Sequence, residues 1–127
     1  MGKVFLGLLL ALGMGLAGPL EEARGHYRAG RMGAALEALA PLLQSPNPPE
    51  EALTLQGFAL YRLGRPEEAL YPFARLVGTL RGGAEALYGF GLALRALRDV
   101  ESARSALEEA LRRGYREAEE VLKTLPP

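Results

Sequence analysis

The sequence predicts an all-α fold of stacked helix-turn-helix repeats, an α-solenoid. Three observations lead there. Residues 27–36 (YRAGRMGAAL) and 61–70 (YRLGRPEEAL) share six of ten letters 34 positions apart, and residues 95–104 (RALRDVESAR) continue the register after another 34. A gapless spacing held through three segments marks a repeat architecture. Fourteen Glu and thirteen Arg, with abundant Leu and Ala, favour helix, while four Val, three Thr and no Ile disfavour strands. Glycine and proline breaks recur roughly every 15 to 19 residues, so each 34-residue unit reads as two helices and a tight turn.

Each element follows from local signals. The first helix is expected over 20–29, closed by Gly30 in a left-handed position. The second covers 32–44 and stops at SPNPP, where Pro46, Pro48 and Pro49 forbid continuation. Pro49 opens the third, with Glu50 and Glu51 against its positive N-terminus, and Gly64 closes it. Pro66 starts the fourth with the same PEEAL device, and Gly82 and Gly83 separate it from the fifth, 84–97. Asp99 suits the N-cap of the sixth, which ends at Gly114, and a short last helix over 116–125 is stopped by Pro126 and Pro127. Leu53, Gln56, Gly57, Leu60 and Leu63 recur at helical spacing, with Gln56 alone interrupting the stripe. One such pair cannot cover its own apolar face, so the copies are expected to stack on a continuous core.

The first 17 residues differ from the rest. Lys3 is followed by an unbroken apolar and glycine run over 4–17, the pattern of a secretory signal peptide, with Gly15 and Ala17 as the small residues before a break. Cleavage there leaves an 18–127 domain, exported to a periplasm or cell envelope. The alternative is a chain anchored in the membrane by residues 4–17, although the run is short against the ~20 apolar residues of a spanning helix. Cysteine is absent, which removes disulfides, thiolate chemistry and cysteine zinc sites.

Resemblance to a known family rests on particular residues. Leu53, Gln56, Gly57, Leu60, Ala69, Phe73 and Leu76 in the second unit occupy its pattern of small and large positions. So do Leu87, Phe90, Gly91, Leu94, Ala103, Leu107 and Ala110 in the third, with Ala23, His26, Ala35, Leu39 and Leu42 in the first. The register resembles the tetratricopeptide repeat over essentially all of 18–127. No unit carries the family's Trp, Leu60 and Leu94 stand where Tyr is common, and Arg81 and Tyr115 replace the closing Pro. The resemblance implies a right-handed solenoid of about three units (18–49, 50–83 and 84–117) with a capping helix over 116–125. It also implies that Gly57 with Ala69, and Gly91 with Ala103, lie at close helix crossings, and that Phe73 and Leu107 fill the space beneath the next unit.

Catalytic constellations are missing. His26 is the single histidine and falls at a packing position; the glutamate pairs sit in first turns and do not converge; serines and threonines have no base beside them. Fifteen acidic and fifteen basic residues leave no excess to draw in nucleic acid. No enzyme, metal or cofactor is expected. The resemblance implies instead a groove lined by the first helix of each unit: Arg24, Tyr27 and Arg28; Glu51, Thr54, Phe58, Tyr61 and Arg62; Glu85, Tyr88, Leu92, Arg95 and Ala96. Tyrosine and arginine anchor interfaces, and such a groove suits a peptide with some acidic character. Arg24 and Phe58 stand where the family's carboxylate clamp has Asn, and Gly89 where it has Arg, so no clamp is expected. The expectation is a non-enzymatic module holding a protein partner, the alternative a self-associating homo-oligomeric subunit of an envelope complex.

Overall fold

The computed structural model describes residues 18–127, and the signal-like run lies outside them. Seven helices follow in order: α1 (Pro19–Arg28), α2 (Met32–Leu43), α3 (Glu50–Arg62), α4 (Pro66–Leu76), α5 (Gly83–Ala96), α6 (Val100–Arg112) and α7 (Glu117–Thr124). Each packs on the next, and the first helices of successive hairpins also touch, α1 on α3 and α3 on α5. The second helices begin at residues 32, 66 and 100, so the 34-residue period survives in the backbone. The sequence boundaries hold within a residue or two at most ends, although α4 stops at Leu76, before an irregular 77–82 link. Pro41 lies inside α2 and Pro72 inside α4, neither ending its helix.

The turns show how the period is made. After α1, α3, α5 and α6 the amide of the second residue beyond the helix cap donates five residues back: Arg31 to His26, Arg65 to Leu60, Asp99 to Leu94 and Tyr115 to Ala110, all at 2.8–3.0 Å. This closure needs a left-handed residue. Gly30, Gly64 and Gly114 supply it at φ of 81°, 76° and 98°. In the third unit the same place falls to Arg98, at φ 66°. Asp99 then caps α6 as expected, its carboxylate accepting from the Ser102 amide at 3.2 Å.

The core is fullest between the second and third hairpins. Phe73 and Leu107 are wholly buried, as the repeat pattern requires. A Cβ built on Gly57 would stand 2.6 Å from the Phe73 ring, and one on Gly89 would overlap the same ring tip. The ring is therefore wedged between α3 and α5, with a glycine on each wall. Gly91 plays the matching part for Leu107, where a Cβ would lie 2.6 Å from Cγ. Leu125 and Ala118 bury against Leu107 and Ala110, so α7 closes the far end. At the near end Ala23, Leu39 and Ala52 join α1, α2 and α3. Arg113, just beyond α6, donates from Nη1 to the Val77 carbonyl at 3.0 Å, satisfying a C-terminal carbonyl of α4.

Candidate functional site

A cleft of about 290 Å³ opens on the face made by the first helices. Tyr27 comes from the last turn of α1; Phe58, Tyr61 and Arg62 from the second half of α3; Glu85, Tyr88 and Leu92 from α5; and Tyr115 from the link before α7. Four successive hairpin positions thus converge on one space. Three close contacts involve its aromatic rings. The Arg62 guanidinium stands 4.8 Å from the centre of the Tyr27 ring, within the range of a cation–π contact. Tyr88 and Tyr115 lie 4.8 Å apart, centre to centre. Phe58 meets Phe73 edge-on at 4.9 Å, which ties the cleft floor to the central core residue.

Its electrostatics are those of a partly dry site. Burial raises the Tyr27 hydroxyl above the ordinary tyrosine value, opposed by Arg62 and reinforced by Glu85. Tyr88 is raised in the same way, and Tyr115 is pushed up to about 12 by burial, with Glu85 and Glu117 adding to it. Loss of water also raises the Glu85 carboxyl, and the nearby Glu117 charge acts in the same direction.

Of the residues expected in the groove, the structure brings together Tyr27, Phe58, Tyr61, Arg62, Glu85, Tyr88 and Leu92. Others are engaged elsewhere. Arg24 pairs through two nitrogens with the Glu51 carboxylate, and that contact holds Glu51 below the usual carboxylate range. Thr54 donates to the Glu50 carbonyl of its own helix at 3.0 Å, and Arg95 donates to the Thr124 hydroxyl at 3.2 Å. Arg28 is exposed and does not line the cleft. Tyr115 lines the cleft from outside the expected groove, at a position where the sequence shows only the replacement of a closing proline. Its 88-residue distance from Tyr27 hides their meeting, and only its place at the start of a fourth first helix could have signalled it. A larger hollow of about 510 Å³ between α4, α5 and α6 has Ala74, Val77, Leu87, Phe90 and Leu94 on its walls and no aromatic cluster of comparable density.

Among the described residues no group of His, Asp and Glu is placed to hold a metal ion, and no helix is long and apolar enough to cross a membrane. His26 accepts a hydrogen bond from the Arg31 Nε at 3.0 Å beside the first turn, a structural place.

A stack of helical hairpins with one concentrated cleft on its first-helix face defines a helical repeat protein. The family model for the tetratricopeptide repeat matches residues 20–86 and 88–120, and the chain belongs to that family. Repeats of this kind generally mediate protein–protein interaction and are generally non-catalytic. No curated protein matches the chain.

Proposed function

We propose that this protein is a non-enzymatic interaction module of a bacterial cell envelope that holds a peptide or protein segment in the first-helix cleft. The convergence of Tyr27, Phe58, Tyr61, Arg62, Tyr88 and Tyr115 carries the reading. These side chains stay outside the wholly buried core: Phe58 and Tyr61 rest on one core cluster and Tyr88 and Tyr115 on another, each keeping part of its surface in the cleft. Half-buried tyrosines and an arginine supply contact area at small entropic cost, the composition of interface anchors. Placement in the envelope rests on the Lys3 and 4–17 pattern.

Affinity capture from an envelope extract tests it, using the 18–127 chain beside a Tyr61→Ala, Arg62→Ala, Tyr88→Ala variant. The expected result is a partner retained by the parent and lost by the variant at unchanged helicity. Equal retention by both refutes the cleft. Native chain recovered from the envelope with Gly18 at its N-terminus supports export; a cytosolic chain keeping residues 1–17 refutes it. Self-association is the alternative reading, and light scattering showing a concentration-independent monomer removes it.

A further inference from the structure

Of the groove arginines only Arg24 is held in an ion pair, and the cleft lining carries two charges outside any ion pair among the described residues, Arg62 and Glu85. Glu85 lies in the first turn of α5, where a carboxylate suits the helix N-terminus. Unlike the other first-turn glutamates, which are all exposed, Glu85 is half-buried. No Arg, Lys or His forms an ion pair with it among the described residues. Arg62, the cation on the same cleft, is seated over Tyr27 instead. Arg95 and Arg24 spend donors on Thr124 and Glu51.

A carboxylate withdrawn from water without a partner is costly unless a cation joins it. Around Glu85 stand Tyr27, Tyr88 and Tyr115, whose ring faces carry partial negative charge and attract cations. Glu117 adds a second negative charge close enough to act on Glu85. An anionic guest would meet Arg62 on the rim, with Arg95 near Tyr88, but also the half-buried Glu85 carboxylate backed by Glu117. At about 290 Å³ the space sits at the lower end of ligand pockets, roughly 300–1,000 Å³, which fits one side chain rather than a cofactor.

We propose that the cleft takes a cationic side chain, the ammonium or guanidinium of a Lys or Arg on the partner segment, against Glu85 and the rings of Tyr27, Tyr88 and Tyr115. This rests on the groove reading and gives its occupant a charge. Burial disfavours the charged form of Glu85, and a bound cation would offset that cost.

The sequence supplies its own probe. It has five tyrosines and no tryptophan, and Tyr71, 75% exposed, is the one tyrosine that does not line this cleft. In a Tyr71→Phe background every tyrosine signal therefore reports on the site. Four capped peptides of equal length and an otherwise identical alanine-rich sequence, with a central Lys, Arg, Gln or Glu pair, are titrated against this protein by NMR of ring-labelled tyrosine. The Lys and Arg peptides are expected to shift the tyrosine signals most. Glu85→Gln should weaken them about tenfold, and added salt should weaken them further. Equal or stronger shifts from the Glu peptide, or affinity for the basic peptides within twofold in Glu85→Gln, overturn the cation proposal while leaving the groove standing. Absence of tyrosine shifts with all four peptides overturns both.

Discussion

Replacing Gly89 by Ala adds one methyl group, and the structure says where it goes. It meets Cζ, Cε1 and Cε2 of Phe73, a ring with no exposed surface. The ring has no free direction, because the Gly57 wall opposite would itself hold a Cβ only 2.6 Å away. Overpacking a closed core costs about 1–3 kcal/mol, and a triple overlap on a wedged ring belongs at the upper end. Alanine in place of glycine within a helix returns about 1 kcal/mol. The net expectation is a loss of about 2 kcal/mol, a fall in Tm of roughly 10 °C for a domain of this size. Far-UV circular dichroism melting and urea titration measure it. Gly25→Ala is the control: the site is in α1 with no atom within 4 Å of the new methyl, so only the propensity gain of about 1 kcal/mol remains. Gly89→Ala combined with Phe73→Leu should recover part of the loss. If Gly89→Ala melts at or above the parent temperature while the control gains as expected, the wedged ring is wrong.

Two further outcomes are expected. Arg98→Gly should raise stability by about 1 kcal/mol, since Arg98 occupies the left-handed place that Gly30 and Gly64 fill in the other units; an unchanged or lower melting temperature refutes this. Ultraviolet titration should show one tyrosine ionising near 12, and Tyr115→Phe should abolish that step. Because the folded value lies above the unfolded value of about 10, stability from neutral Tyr115 is present below pH 10 and lost as pH rises toward 12. A titration in which all tyrosines ionise together near 10 contradicts the dry cleft.

Much of the fold was legible because its causes are local. Gly30 and Gly64 close turns that their own backbone must make, Asp99 caps the helix it precedes, and the 34-residue period states the stacking outright. Gly57 and Gly91 stood out by occupying equivalent places in two units. Gly89 did not, for its partner Phe73 belongs to the preceding unit and no repeated letter marks the contact. The lining of the cleft was legible wherever the repeat register carries it. Tyr27, Phe58, Tyr61, Arg62, Glu85, Tyr88 and Leu92 share a face that this register implies. The fates of Arg24 and Arg95 depend on Glu51 and Thr124, 27 and 29 residues away, and no local pattern encodes those pairings. A count of arginines likewise leaves out which of them are engaged, as Arg24 is by Glu51.

Tyr27 and Tyr115 belong to the first and last hairpin positions of the stack, yet they face one space. In a linear array each unit is secured only by its neighbours, so the end helices are the first to come loose. Here both ends supply walls to the same cleft. Fraying of α1 or α7 would open it from one side, and an occupant touching both tyrosines would act as a clasp that fastens the two ends together. Hydrogen exchange at the termini would then report occupancy in the middle of the molecule.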